Sequence, residues 1–283
     1  MEEATTTLLD AGPSSGGCAP YLLGTSDAEL EHLTRQAEEL THEAAWLLDT
    51  VGVEPGWRVI DVACGVLGIL HLLPERVGTT GQVVGLDREA RMIDTARSMM
   101  SQRRLPVRLI RADATATGLP REWFDLVHAR ALLLHVTSPE AVIREMTAIC
   151  RPGGAVALQE ADTTAWVCDP PHPAWDRLLN AFQEVYRAHG QDTSVGRRLP
   201  TLLGEAGLTG VEGRIHARLT RAGDYYHTFL LTLMTLTRDT IVTYGCMSAG
   251  ELDELTTSLR AHLEHSTVVT SGVPIWQVWA WKR

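Results

Sequence analysis

Val59-Ile60-Asp61-Val62-Ala63-Cys64-Gly65-Val66-Leu67-Gly68 is the stretch on which the reading of the fold turns. Its first half is apolar, β-branched and closed by an acid. Its second half is small and contains glycine, and Ile69 to Val77 then reads as a helix. A strand that runs through a tight loop into a helix brings a ligand close to backbone N–H groups at a helix N-terminus. In dinucleotide sites such a loop is G-x-G-x-x-G and holds a pyrophosphate. Here Asp61 stands just before the loop, where a carboxylate repels pyrophosphate and attracts a cation.

The same rhythm continues downstream. Gln82 to Leu86 predicts a strand ending at Asp87, Glu89 to Arg103 a helix, and Val107 to Ala112 a strand ending at Asp113. Phe124 to Ala129 predicts a strand, Pro139 to Cys150 a helix stopped by Arg151-Pro152-Gly153-Gly154, and Ala155 to Gln159 a fifth strand. Such alternation implies βαβ units with right-handed crossovers and a parallel sheet. Upstream, Leu30, Leu33, Ala37, Leu40, Ala44, Leu47 and Leu48 recur at helical spacing, which predicts one amphipathic helix from Asp27 to Asp49, capped by Ser26 or Asp27. Beyond Asp162 the rhythm breaks. Residues 163–200 and Asp224 to His265 read as helical, and Leu208 to Leu219 and Ile275 to Trp281 as returning strands. The expected architecture is α/β: a Rossmann-like, doubly wound, mostly parallel seven-stranded sheet with an N-terminal helical segment and a helical accessory lobe. Its expected divisions are a flexible leader (1–20), an N-terminal helical cap (21–52), a ligand-binding core (53–162), a helical lobe (163–200 and 222–266) and C-terminal strands completing the sheet (201–221 and 267–283).

Asp61, Asp87 and Asp113 thus stand at three successive strand ends. Asp87 suits a pair of ribose hydroxyls, accepted as charge-assisted hydrogen bonds. Asp113 suits an adenine amino group. S-adenosylmethionine (SAM) meets all three demands, having an ammonium, a sulfonium and no phosphate, so the charge pattern favours it over NAD. The bland reading is three helix caps. Three caps along the carboxyl edge of one sheet would be a coincidence.

Composition narrows the class. The 283 residues are 45% hydrophobic and 21% charged, ordinary for a soluble globular chain. The net charge is -10, and Lys and Arg do not cluster, so no nucleic-acid partner is expected. The five cysteines, Cys18, Cys64, Cys150, Cys168 and Cys246, are odd in number and contain no CxxC pair. They read as reduced residues of a cytoplasmic protein, with no metal site expected. The N-terminus is acidic and lacks a signal-peptide apolar region, Gly12 to Gly17 reads as flexible, and no stretch is apolar and long enough to span a membrane.

From Tyr21 to Asp162 the chain resembles the class I SAM-dependent methyltransferases, in the small-molecule group that includes the ubiquinone and menaquinone C-methyltransferases. The matching features are Asp87, Asp113, Phe124-Asp125 and the Arg151-Pro152-Gly153-Gly154 turn. The loop departs from the common D-x-G-x-G-x-G form: Ala63 replaces the first glycine, Leu67 takes the place of the third, and Gly68 follows one later. The resemblance implies that Asp61, Ala63 and Gly65 hold the methionine part, Asp87 with neighbouring Arg88 the ribose, and Asp113 with Ala114 the adenine, with Met92 packing on the adenine. Tyr21-Leu22-Leu23-Gly24, followed by Glu29 and His32-Leu33, resembles a segment that folds over SAM in some members. More narrowly, the chain is similar to bacterial secondary-metabolite C-methyltransferases of the teleocidin-pathway kind. In that group the first helix is exchanged between subunits, which makes a homo-oligomer with N-terminal helix exchange the expected assembly.

His135 and Tyr21 are the catalytic candidates: His135 as general base or core histidine, Tyr21 as a cover for cofactor or substrate. Arg130 reads equally as a partner of the SAM carboxylate or of a surface acid. Gln159 follows strand five, where substrates bind in such folds. With Trp166, Phe182, Tyr186, Tyr225 and Phe229 it forms the expected substrate set, although aromatics at helical spacing are more often core. The expected substrate is small and apolar. C-methylation of an alkenyl or terpenoid side chain in secondary metabolism, with cyclisation as a sequel, suits the aromatics, whose faces stabilise a carbocation. O- or N-methylation with His135 as base is one alternative. A SAM-binding protein without methyl transfer is another.

Overall fold

A computed structural model describes residues 21–283. The predicted leader and Cys18 lie outside the described residues. Seven strands form one sheet: β1 (Arg58–Val62), β2 (Gln82–Asp87), β3 (Val107–Arg111), β4 (Phe124–Arg130), β5 (Cys150–Ala161), β7 (Thr209–His216) and β9 (Ile275–Trp281). Their order is β3-β2-β1-β4-β5-β9-β7. Strands β1 to β5 are mutually parallel, and β9 runs antiparallel between β5 and β7. The expected doubly wound, mostly parallel sheet is the observed one. Strand order reverses between β1 and β4, and in such sheets ligands bind in the crevice beyond the carboxyl ends at that reversal.

Period-two alternation sorts the strand residues onto the two faces. Ile60, Val62, Val127 and Ala129 join one apolar cluster, and Val59, Leu126, Ala155 and Ala157 join the other. That second face carries Asp61, His128, Arg130 and Gln159 toward the strand ends, and Asp61 lies in register with His128. Helix α4 (Ala90–Gln102) follows β2, and α5 (Pro139–Ile149) precedes β5.

The single helix predicted from Asp27 to Asp49 is two. Helix α1 (Asp27–Glu39) begins with Ser26 as N-cap, its side chain accepting from the Glu29 N–H, and α2 (Thr41–Val51) ends at Gly52. The break falls at Leu40, where the Thr41 hydroxyl bonds back to the Ala37 carbonyl at 3.1 Å. The bend divides one apolar stripe between two tasks: Leu33, Gln36 and Leu40 line a cavity, while Ala44, Leu47, Leu48 and Val51 pack against the sheet. The helix predicted for Ile69 to Val77 is a 3-10 turn (Leu70–Leu72) leading into α3 (Leu73–Val77), which has Pro74 in its first turn.

The lobe contains less helix than expected. Between residues 163 and 200 only α6 (Pro173–Ala188) is long. The chain then turns through Val195–Arg198 into α7 (Leu199–Glu205), which crosses the expected boundary at 200. Farther on, α8 (Phe229–Thr243) and α9 (Ala249–Leu263) are separated at Tyr244-Gly245, Gly245 having φ +69°. Two short strands, β6 (Cys168–Asp169) and β8 (Val269–Thr270), pair as a small second sheet that the sequence did not signal. Among the described residues no helix is long and apolar enough to cross a membrane.

Candidate active site

The loop after β1 is held by its own acids. Ala63 has φ +55°, an uncommon conformation for a residue with a side chain. Asp61 is 1% exposed, and its Oδ2 accepts from the Ile69 N–H at 3.0 Å. Its Oδ1 lies 2.7 Å from His128 Nδ1, and His128 Nε2 lies 3.1 Å from Gln159 Oε1. Asp61 therefore spends its charge on the loop and on a buried histidine as well as on the cavity it lines. Gly68 is required by close approach: a Cβ there would stand 2.1 Å from Asp61 Oδ2. Asp87 at the end of β2 accepts from the Gly65 N–H and the Glu89 N–H, each at 2.9 Å. Burial makes it a weaker acid than the usual carboxylate, while the two N–H donors oppose that shift. Asp113 accepts from the Thr115 backbone and hydroxyl, at 2.7 and 2.5 Å.

One cavity collects these groups. Its first half is lined by Asp61, Ala63, Gly65, Asp87, Arg88, Met92, Asp113, Ala114 and Arg130, the predicted cofactor set apart from Tyr21. Tyr21 closes it from the N-terminal side. Arg88 pairs with Glu89. Arg130 donates from Nη2 to the Gly68 carbonyl at 3.1 Å, while its Nη1 is buried without a partner. Burial loosens the hold of the Arg130 guanidinium on its proton, and the charge of Asp61 opposes that shift.

The second half is aromatic. Trp166, Phe182, Tyr186 and Phe229 line it, as expected, with Gln159 between the halves. Trp166 meets Phe229 at 5.7 Å between ring centroids, and Phe182 meets Tyr186 at 4.6 Å. Tyr225 corrects the expectation, because it does not line the cavity. Its hydroxyl bonds His32 Nδ1 at 2.6 Å, and Tyr226 takes the lining position. The two lie in one 3-10 turn (Tyr225–His227), where successive side chains diverge widely, so sequence spacing alone does not tell them apart. Empty space in the cavity, including its mouth, is about 1570 Å³.

His135 lies at the junction. Its ring meets Tyr21 edge-on at 4.8 Å, and its Nδ1 lies 3.3 Å from the Tyr186 hydroxyl. Burial, then the charges of Arg88 and His32, push it down to about 3. An imidazole so weakly basic is a poor proton acceptor. Its ring-carbon NMR signals are therefore expected to stay fixed between about pH 5 and pH 8, where an ordinary histidine titrates. A midpoint inside that range would restore it as a base.

Sequence reasoning missed His128, Gln36 and Tyr226. His128 was findable: it alternates onto the same face as Asp61 and Arg130 once β1 and β4 are neighbours. Gln36 depends on the bend at Leu40, which left no sequence mark.

Residues 53–196 match the model of a family described as a methyltransferase domain. This chain belongs to that methyltransferase family. The expected family and fold are confirmed together. The chain is 39% identical over 119 residues to the ubiquinone/menaquinone biosynthesis C-methyltransferase UbiE of Stenotrophomonas maltophilia, covering 41% of this chain and 47% of that protein. It is 32% identical over 131 residues to the demethylmenaquinone methyltransferase of Listeria monocytogenes serotype 4a, covering 46% and 53%. The chain thus spans about half the length of these curated relatives. Among solved structures, the YcgJ protein of Bacillus subtilis aligns with a TM-score of 0.56 at 15% identity, over 86% of this chain and 99% of that one. A phosphoethanolamine N-methyltransferase of Haemonchus contortus, solved with S-adenosylhomocysteine, aligns at 0.54 and 15%, over 85% and 52%. At such identities the likeness is one of fold.

Proposed function

We propose that this chain transfers a methyl group from SAM to a small apolar acceptor, and that the acceptor atom is carbon, on an alkenyl or terpenoid side chain of a secondary metabolite. One observation carries the reading. A single cavity runs from the strand-end acids Asp87 and Asp113 to the aromatic wall of Trp166, Phe182, Tyr186 and Phe229. A donor and an apolar acceptor would share it without crossing water.

The residues present fit SAM. The partnerless Nη1 of Arg130 suits its carboxylate, Asp87 has lone pairs left for two ribose hydroxyls, and Met92 and Ala114 offer an apolar bed for adenine. When bound, SAM supplies an electrophilic methyl group on a positive sulfur. The chain's own work is to hold acceptor and methyl in line, a positioning effect that removes many kcal/mol from such barriers. Aromatic faces around the acceptor stabilise positive charge left on it. The weak basicity of His135 counts against O- or N-methylation through that residue. The C-methyltransferase relatives support carbon as acceptor, and the aromatic wall supports an apolar chain over a polar one.

Calorimetric titration tests the cofactor: micromolar binding of SAM and none of NAD are expected. Incubation with SAM and a panel of prenylated aromatics should then form S-adenosylhomocysteine, with the new methyl on carbon by NMR. A methyl found on oxygen or nitrogen would overturn the acceptor assignment. Tight NAD binding would overturn the whole reading.

A further inference from the structure

Ser26 and Glu29 form an S-x-x-E pair at the start of α1. In such pairs the glutamate ordinarily reaches back to the N-cap backbone. Only half of that arrangement is made here: Ser26 Oγ accepts from the Glu29 N–H at 3.2 Å. The Glu29 carboxyl turns inward instead. It is fully buried, its Oε1 accepts from the Tyr21 hydroxyl at 2.6 Å, and its Oε2 has no partner. Tyr21 lines the cavity and Glu29 stands behind it. The ionisable groups around the pair are Tyr186 and Tyr225, with His32 and Arg35 against Tyr225, and Asp87 and His135 facing Tyr21. Burial pushes Glu29 up to about 8, against a smaller opposite pull from Tyr21.

We propose that Glu29 is the proton reservoir of the cavity, neutral when no cation shares it, ionised when a sulfonium enters, and refilled through Tyr21 as the methyl acceptor loses its proton. This rests on the reading of the chain as a SAM-dependent methyltransferase. Methyl transfer to a neutral acceptor releases one proton, and the other candidates handle it poorly. His135 is too weakly basic. Glu160 is held by the Leu132 and Leu133 N–H groups at 2.9 and 2.7 Å and does not line the cavity. In the proposed step the acceptor's π pair bonds the methyl carbon as the methyl–sulfur bond breaks and its pair stays with sulfur; the acceptor–hydrogen bond then breaks, and its pair quenches the positive charge left on the acceptor. That proton passes to Tyr21 Oη while the Tyr21 proton passes to Glu29 Oε1. Glu29 is then a buried anion only while a buried cation accompanies it, which spares the cavity an uncompensated charge.

No acceptor is needed for the test. Calorimetric titration of the full chain near pH 7 in phosphate and in Tris counts the protons exchanged on binding. SAM should release about one proton and S-adenosylhomocysteine, which lacks the sulfonium, almost none. Glu29→Gln, close in shape, should bind both ligands without proton release. On the wild-type chain alone, the release should fade above about pH 8, where Glu29 is already ionised. The proposal is overturned if SAM binds the wild-type chain without releasing a proton, or if Glu29→Gln still releases one. If neither ligand binds the wild-type chain, the cofactor reading falls and takes this inference with it.

Discussion

Gly68→Ala is expected to cost the fold about 4–7 kcal/mol, from one left-handed alanine and one broken buried pair. Gly68 has φ +48°, and its missing Cβ would stand 2.1 Å from Asp61 Oδ2 and 2.8 Å from the Cys64 carbonyl. The left-handed conformation alone costs an alanine about 1–2 kcal/mol. The clash costs more, because Asp61 is buried and cannot yield without leaving His128 and the Ile69 N–H. Breaking a buried pair leaves an uncompensated group and costs about 3–5 kcal/mol. At this chain length such a loss lowers the melting temperature by roughly 10 °C. A thermal melt checks it. A fall of only a degree or two would show that the loop relaxes and that Asp61 is not the clamp.

Asp87→Ala is expected to weaken SAM binding roughly a hundred-fold to a thousand-fold, through loss of charge-assisted hydrogen bonds to the ribose. The same carboxylate orders the loop, since both its oxygens accept backbone N–H groups. The variant therefore loses a ligand contact and a pre-formed loop together. Asp87→Asn separates the two. It keeps the shape and one acceptor oxygen, and should fall between wild type and alanine. Calorimetric titration of S-adenosylhomocysteine into the three proteins gives the order. Equal affinity for wild type and Asp87→Ala would mean that the ribose is held elsewhere and that Asp87 serves only the loop.

The sheet was legible because its signals are local. Each of β1 to β4 is short and largely apolar, and acids or glycines stop β1, β2 and β3, so the first halves of the βαβ units read directly; β5 reads as a strand only from Ala155 to Gln159, and its pairing extends back through the Arg151-Pro152-Gly153-Gly154 turn to Cys150. That Asp61, Asp87, Asp113 and their neighbours would line one cavity was legible for the same reason: they sit at strand ends, and strand ends share one edge once the strands are parallel. What was lost depends on three-dimensional packing. The bend at Leu40 breaks a continuous apolar stripe, and nothing in Glu39-Leu40-Thr41 marks it. Tyr225 and Tyr226 are chemically alike and adjacent, and only the pitch of their turn decides which faces the cavity. His128 looked like one more strand residue until Asp61 was placed beside it in register. The inward turn of Glu29 runs against the ordinary use of its motif, and only the buried Tyr21 hydroxyl accounts for it.

One feature of the sheet bears on how such a molecule changes its diet. His216 at the end of β7 and Ile275 at the start of β9 face each other in register. The chain between them leaves the sheet and comes back to the same point, having supplied Tyr226, Phe229, Leu233 and Val273 to the cavity. A segment with adjacent ends can be exchanged, shortened or lengthened with little effect on the frame that anchors it. Asp87, Asp113 and the loop from Ala63 to Gly68 lie wholly outside it. Lineages, or a laboratory graft, can therefore re-tailor one side of the acceptor wall, Phe229 included, as a cassette, while Trp166, Phe182 and Tyr186 and the donor half are inherited unchanged.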